Sequence, residues 1–377
     1  MKFLSSCIDA RDNHFNAIRI VAASAVLVSH SFAIATGDSR LEPLRQSLGV
    51  TPGALAVDVF FTASGLLLAN SLNKKQDAVD FIVSRIARIY PALIVITLLT
   101  VFVLGSYFTS LPLHVYFGSG ETHTYLLKTA TLIRDVGYTL PGVFHELPLR
   151  DQVNGPLWTL PIEIRMYALL FVAWAACGLL GPRHRALGLR IAALALVVVA
   201  GGMHLALYLQ AGIEPATKGL SRFVFFFFSG CCFALFQRRI PLGAPLLVAC
   251  LVLLVASSLS ATAFFFAWHL LIGYTVLLLA YQRLPLLGHY NKLGDYSYGM
   301  YIYAWPIQQS LVALIPGISI AALTGAAFTL TLLMAVLSWH WVERPCMDLK
   351  TRFIRRYRAR RAARAALSAT IADIPRE

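Results

Sequence analysis

Arg19 and His30 stand in one apolar stretch, "NAIRIVAASAVLVSHSFAI", at residues 16–34. A permanent cation and an imidazole are expensive in a segment otherwise suited to hydrocarbon, so such residues face a bundle interior or a polar path. They are eleven residues apart. At 100° per residue this is about 20° past three full turns, so both side chains leave one helix face, about 16 Å apart along the axis. Imidazole titrates nearest to neutral pH and is the side chain most often used for proton transfer. Arg19 and His30 therefore mark two levels of one buried face, with the chemistry expected at His30.

Two carboxylates fall near the level of His30 by length alone. Asp58, in "GALAVDVFFTASGLLLANSL", lies about five residues inside the outer end of the second apolar stretch. Glu163, in "NGPLWTLPIEIRMYALL", lies a similar distance inside the outer end of the fourth. A carboxylate beside an imidazole orients it and raises its basicity, so Asp58 and Glu163 are expected to support His30 as a general base. The plainer alternative is a structural pair of Asp58 or Glu163 with Arg165 or Arg222. On the other side, "FIVSRIARIYPALIV" carries Arg85 and Arg88 three residues apart, on one helix face. Two guanidiniums there suit phosphate groups, or simply anchor the inner end of a span. Cations at one end and a base with carboxylates at the other suit a long ligand with phosphates at one end and a reactive group at the other. Coenzyme A is such a group carrier.

The elements that position these residues follow from composition. The chain has 377 residues, 58% hydrophobic and 13% charged, where a soluble chain has about 25% charged. Its mean hydropathy is +0.68. Apolar runs recur at the length a helix needs to cross a bilayer. Runs such as "ALLFVAWAACGLL" do not alternate as barrel strands would. The reading is an all-α polytopic bundle of about ten transmembrane helices, near 14–35, 53–72, 89–108, 156–180, 187–209, 219–237, 242–259, 262–281, 294–315 and 318–342. The longest connection, 109–155, is expected to fold over the outer mouth. With the N-terminus inside, twenty-three Lys and Arg fall on the inner side against six outside, and thirteen against six without the tail. That bias predicts N-in and C-in, and makes the net charge of +14 mostly a topology signal.

Residues 1–345 are read as one membrane domain and 346–377 as a basic cytoplasmic tail. The tail's "RFIRRYRARRAARAAL" reads as an amphipathic helix on anionic lipid rather than as a nucleic-acid binder. Membrane lipids are thus expected partners and nucleic acid is not. The six cysteines have neither metal nor disulfide spacing and read as small core hydrophobes. No metal or nucleotide-fold motif occurs, so no metal is expected. "MKFLSSC" forms no long apolar region, and the first span itself would target the chain.

Six segments in order resemble the acyltransferase 3 family of membrane acyltransferases. "RIVAASAVLVSH" fits its Arg-x10-His, "GALAVDVFFTASGLLLA" its Gly-x-x-x-Val-Asp-x-Phe-Phe-x-x-Ser-Gly, and "RIAR" with "IYP" its R-x-x-R element. "NGPLWTLPIEIRMY" fits Trp-Ser/Thr-Leu-x-x-Glu-x-x-x-Tyr, "LGDYSYGMYIYAWPIQQ" a late Gly-x-x-Ser-Tyr-x-x-Tyr, and "SWHWVERP" the closing Glu-x-Pro. The resemblance implies that His30 is the catalytic histidine and Arg19 its companion on the acyl-CoA path. It implies that Asp58 and Glu163 support the site and that Arg85 and Arg88 contact the acyl-CoA. Trp158, Ser297 and Tyr301 fall in the matched segments as candidate acceptor contacts, Trp158 also as an oxyanion donor. The activity implied is transfer of an acyl group, acetyl by family habit, from cytoplasmic acyl-CoA to a carbohydrate or glycolipid hydroxyl outside a bacterial inner membrane. His30 would act as general base or as transient acyl carrier, with Ser64, Ser297 or a cysteine as lesser carriers. One departure is Ala304 in "YAWP", where many members carry histidine. The rival class is a transporter or flippase using intramembrane charges; the lack of an internal repeat argues mildly against it.

Overall fold

A helix closes its backbone hydrogen bonds within itself, which is what hydrocarbon demands of a spanning segment. The computed structural model describes residues 2–10, 13–282, 290 and 293–372, and its apolar runs are helices. They are α1 (Phe15–Thr36), α2 (Pro52–Lys75), α3 (Ala78–Leu99), α4 (Gly120–Thr131), α5 (Thr159–Leu179) and α6 (Pro182–Ala211). There follow α7 (Leu220–Leu235), α8 (Ala244–Ser257), α9 (Ala261–Tyr281), α10 (Ser297–Leu314), α11 (Ile320–Ser338) and α12 (Arg344–Ala372). Among the described residues seven helices are long and apolar enough to cross a membrane, and α7 and α8 are shorter apolar ones. The strands described are two-residue pieces, Lys2–Phe3 paired antiparallel with Pro241–Leu242. The chain is an all-α membrane bundle. Arg11, Arg283 and Lys292, counted in the charge bias, lie outside the described residues, as do the last five of the tail.

Capping residues set the helix starts. Thr51 Oγ1 accepts the Ala54 N–H at 3.1 Å, with Pro52 at the first helical position of α2. Asp77 accepts the Asp80 N–H at 3.0 Å and opens α3. This cap corrects one boundary. The third helix begins at Ala78, eleven residues before the expected 89, so Arg85 and Arg88 lie two to three turns inside it. Its first turns are polar and are held by ion pairs instead of lipid, Asp80 meeting Lys75 at 3.0 Å and Arg358 at 2.9 Å.

α10 is the central helix. Every residue from Ser297 to Pro306 is buried, as expected of a helix apolar on all sides and enclosed by others. α1 packs between α10 and α2, α11 flanks α10, and α7 crosses α2. That last crossing depends on glycine. A Cβ at Gly65 would sit 1.8 Å from the Phe227 carbonyl oxygen, and one at Gly230 would sit 2.1 Å from that of Thr62. Small residues let the two backbones touch, a common device where helices meet in lipid. Gly230→Ala is therefore expected to cost about 1–3 kcal/mol, the usual cost of overpacking. Thermal unfolding in detergent would measure it, and a melting temperature equal to wild type would refute it.

The 109–155 connection is not an open cover. It holds a short helix, Leu113–Gly118, then α4, and runs down the flank of α3. The Tyr90 hydroxyl, midway along α3, donates to the Thr131 carbonyl at 3.0 Å, and the Arg165 guanidinium donates to that of Arg134 at 2.8 Å. Its later part reaches the far half of α10: Gln309 donates to the carbonyls of Leu149 and Gln152, both at 2.9 Å, and Leu147 packs with Ile34, Trp305 and Val312. The tail likewise differs from a free surface helix. α12 continues from α11 through a π-helical turn at Trp339–Glu343, and Arg358 ties it to Asp77 at 3.0 Å and to Asp80.

Candidate active site

α1 carries Arg19 near its start and His30 toward its far end, as its phase requires. The His30 ring is half-buried and meets Trp305 of α10 edge-on, centroids 4.9 Å apart. Its Nδ1 is buried and has no hydrogen-bond partner among the described residues. Its Nε2 faces Gly53, where an added Cβ would lie 3.8 Å away, with Ser29 at 3.3 Å. Gly53 thus lets α2 pack closely against the Ser29–His30 turn of α1.

A cavity of about 50 Å³ lies where α1, α2, α5 and α10 meet. A cavity needs roughly 10–15 Å³ to hold one water, so this one has room for a few. Val57, Phe60 and Ser64 of α2 line it. With Gly53 they fall at spacings of four, three and four residues, one face of one helix. Arg19 and Glu163 also line it, as do Ser297 and Tyr301. The cavity therefore lies on the face of α2 that carries Gly53 one turn earlier; Arg19 lines it and His30 does not.

The two carboxylates expected beside His30 go elsewhere. Asp58 is five residues past Gly53, about 140° around α2, and points toward α7 and α9. Its Oδ2 accepts from Arg222 at 2.7 Å and from the Trp268 indole at 2.9 Å. This is the structural pair weighed as the alternative. Glu163 sits nearer Arg19 because α5 starts deep: Thr159 meets the Tyr301 hydroxyl, four residues into α10, at 2.7 Å. Glu163 accepts a short hydrogen bond from Tyr167. The carboxylate next to the His30 turn is instead Glu42, in the loop after α1, which accepts a short hydrogen bond from Ser29.

Burial raises the Glu42 pKa, while the Ser29 hydroxyl and Arg45 pull it down less. An acid whose folded pKa is raised binds more protons folded than unfolded just above its ordinary value. Its contribution is present below the unfolded pKa and is lost as pH rises through the folded one. Glu42→Gln should therefore flatten the fall in melting temperature on going from pH 4 toward neutrality. Parallel profiles for wild type and variant would count against it.

Of the three arginines expected on the donor path, Arg19 and Arg88 are ion-paired and Arg85 is not, among the described residues. Asp295 Oδ2 accepts from Arg19 at 2.7 Å and from Arg88 at 2.6 Å. Arg88 also meets Glu343 at 3.3 Å, and the Ser338 hydroxyl donates to Glu343 at 3.1 Å. The Ser297 hydroxyl donates to Asp295 Oδ1 at 2.5 Å. Two guanidiniums and two carboxylates thus form a neutral cluster that ties α1, α3, the start of α10 and the π-helical turn together. Arg85 stays outside it. Its guanidinium lies 5.7 Å from the Tyr167 ring and has no ion-pair partner among the described residues. Trp158 is 37% exposed and packs edge-on against Phe223, away from the cavity. The Tyr301 hydroxyl also donates to the Pro156 carbonyl at 2.7 Å. Ala304 is buried in the cluster that holds Ala23 and Leu27 of α1.

Asp295, Glu343, Glu42 and Trp305 were missed as site residues. Asp295 and Glu343 stood inside the quoted "LGDYS" and "VERP" segments, and the signal was a lone acid flanked by apolar runs. Glu42 had no such signal, since an acid in a short loop is ordinarily solvated.

Comparison with known proteins gives the chain its family. The acyltransferase 3 profile, described as an acyltransferase domain, matches residues 12–341. The chain is 28% identical over 348 residues to the O-acetyl transferase of Shigella phage Sf6, covering 89% of this chain and 96% of that protein. It is 26% identical over 368 residues to nodulation protein 10 of Rhizobium leguminosarum bv. viciae, covering 91% and 95%. No solved structure matches it. The chain belongs to the acyltransferase 3 family: it is an acyltransferase and a multi-pass membrane protein.

Proposed function

We propose that the protein is a membrane O-acyltransferase that moves an acetyl group from cytoplasmic acetyl-CoA, or a similar acyl-CoA, to a carbohydrate or glycolipid hydroxyl outside a bacterial inner membrane. The observation that carries this reading is that Arg19 and His30 leave one face of α1, with Arg19 in the wall of a small buried cavity. Val57, Phe60 and Ser64 of α2 line that cavity, and Gly53, one turn earlier on the same face, packs against the Ser29–His30 turn. Ten crossings would take the seven long apolar helices together with α7, α8 and α10, and the excess of Lys and Arg favours the N-terminal face as cytoplasmic.

In this reading the pantetheine arm enters past Arg19 and its thioester rises toward His30. The acceptor hydroxyl loses its proton to the imidazole as its oxygen attacks the thioester carbonyl. The C–S bond breaks and the thiolate leaves with the proton that His30 returns. The covalent variant has the imidazole nitrogen attack first and hand the acyl group to the hydroxyl. Asp58 supports this by holding α2 against α7 and α9, and Glu163 by lining the arm's path. Ser297 and Tyr301 line the same path, which favours donor contacts over the acceptor contacts expected of them. The acceptor class is an extension from the relatives: one is named as an O-acetyl transferase and the other as a nodulation protein.

The test uses purified protein in proteoliposomes with radiolabelled acetyl-CoA and candidate glycans. Label on a glycan or on the protein, dependent on His30, is the expected result. Passage of an intact solute with no transferred label would favour the transporter reading.

A further inference from the structure

The tail helix α12 does more than extend α11. Between its first turns, the end of α2 and the start of α3 lies a cavity of about 300 Å³. Lys75, Lys350, Arg355 and Arg358 line it against a single carboxylate, Asp80. Asp80 is committed to Lys75 and Arg358, and Asp77 holds Arg358 from outside. These pairs fix α12 on α3. They leave Lys350 and Arg355 with no ion-pair partner among the described residues. Lys350 is half-buried and within electrostatic reach of Arg85, so the two cations repel unless an anion lies between them.

Arg85 in turn lies over Tyr167, whose hydroxyl donates to Glu163 in the wall of the narrow cavity. Lys350 and Arg85, which have no ion-pair partner among the described residues, thus stand between the α12 pocket and the wall of the narrow cavity. The lengths set a constraint. Asp80 to Arg88 is about 12 Å along α3, and Arg19 to His30 about 16 Å along α1, so the two ends are roughly 28 Å apart. Only an elongated molecule could touch both.

We infer that the pocket between α12 and the starts of α2 and α3 binds phosphoryl groups through Lys350, Arg355 and Lys75, those of the acyl-CoA nucleotide during transfer. Arg355 supplies a fork that matches phosphate oxygens, and the lysines supply point charge. The choice of acyl-CoA rests on the proposed function; an anionic lipid headgroup presents the same chemistry. The pocket's residues on α12 lie beyond the segment matched by the family profile, which ends at 341.

The test uses the full chain in nanodiscs. Coenzyme A and dephospho-coenzyme A are titrated by calorimetry, in phosphatidylcholine alone and with phosphatidylglycerol added. Lys350→Ala with Arg355→Ala should weaken coenzyme A binding at least about tenfold, the loss expected for one charge-assisted hydrogen bond. Lys350→Arg with Arg355→Lys, which keeps the charge, should restore most of it. Unchanged coenzyme A affinity with loss of bound phosphatidylglycerol, counted by native mass spectrometry, would assign the phosphoryl group to lipid. No change in either would overturn the inference. A wild-type protein that binds no coenzyme A would refute the donor reading, and the phosphatidylglycerol arm would still decide the pocket.

Discussion

His30→Ala is expected to lower acyl transfer by about 10²–10⁴-fold, the range for a positioned general base, and to leave donor binding within a few-fold. The separation follows from the site. The imidazole sits at the far end of the path, about three turns of α1 from Arg19, so the donor's charged end never meets it. Its Nδ1 has no partner among the described residues, and the ring is held by an edge contact with Trp305. Removing it therefore orphans no buried charge, and the fold should survive. His30→Gln sharpens the result: it restores hydrogen bonding without a base that titrates near neutrality. Single-turnover transfer and coenzyme A titration on the same preparations provide the two readouts. An alanine variant with wild-type turnover would remove His30 from the chemistry. A labelled protein adduct, present in wild type and absent in both variants, would decide for the covalent route.

Phase within one helix was legible in the sequence, and contact between helices was not. Arg19 and His30 could be assigned to one face because eleven residues close nearly three turns. The membrane bundle was legible for a similar reason, since length and apolarity are properties of a single segment. Asp58 and Glu163 were assigned to His30 by depth, which ignores azimuth. Asp58 is turned about 140° from Gly53 toward Arg222, and Glu163 is lowered because α5 begins inside the bundle at Tyr301. The start of α3 was misjudged because Asp80 reads as a residue outside lipid, when Lys75 and Arg358 neutralise it in place. The partners of Arg19 and Arg88 come from the entrance to α10 and from the end of α11. Pairing over more than two hundred residues leaves no trace in local spacing.

Asp295→Ala should be the most damaging single change to stability among the charged residues of the bundle, at about 3–5 kcal/mol, the usual cost of removing one member of a buried ion pair. Asp295 serves two cations through one oxygen, and its own exposure is only 11%. When it is lost, Arg88 keeps Glu343, but Arg19 keeps no carboxylate among the described residues. The stranded charge is thus the one on the path. This makes a rescue possible that separates structure from function. Arg19→Met in the Asp295→Ala background replaces the orphaned guanidinium with an apolar chain of similar reach. Such replacements of buried charge are often neutral or stabilising, so the melting temperature should recover toward wild type. Transfer should not recover, because the cation that marks the entrance to the narrow cavity is gone. Thermal unfolding by tryptophan fluorescence, paired with the transfer assay, reads both. Recovery of activity together with stability would make Arg19 a scaffold residue. Failure of Asp295→Ala to lower the melting temperature would mean that the cluster does not hold α1, α3 and α10 together. In the expected case the cluster keeps the helices in register, so the same salt bridges that stabilise the bundle also hold Arg19 in the wall of the narrow cavity.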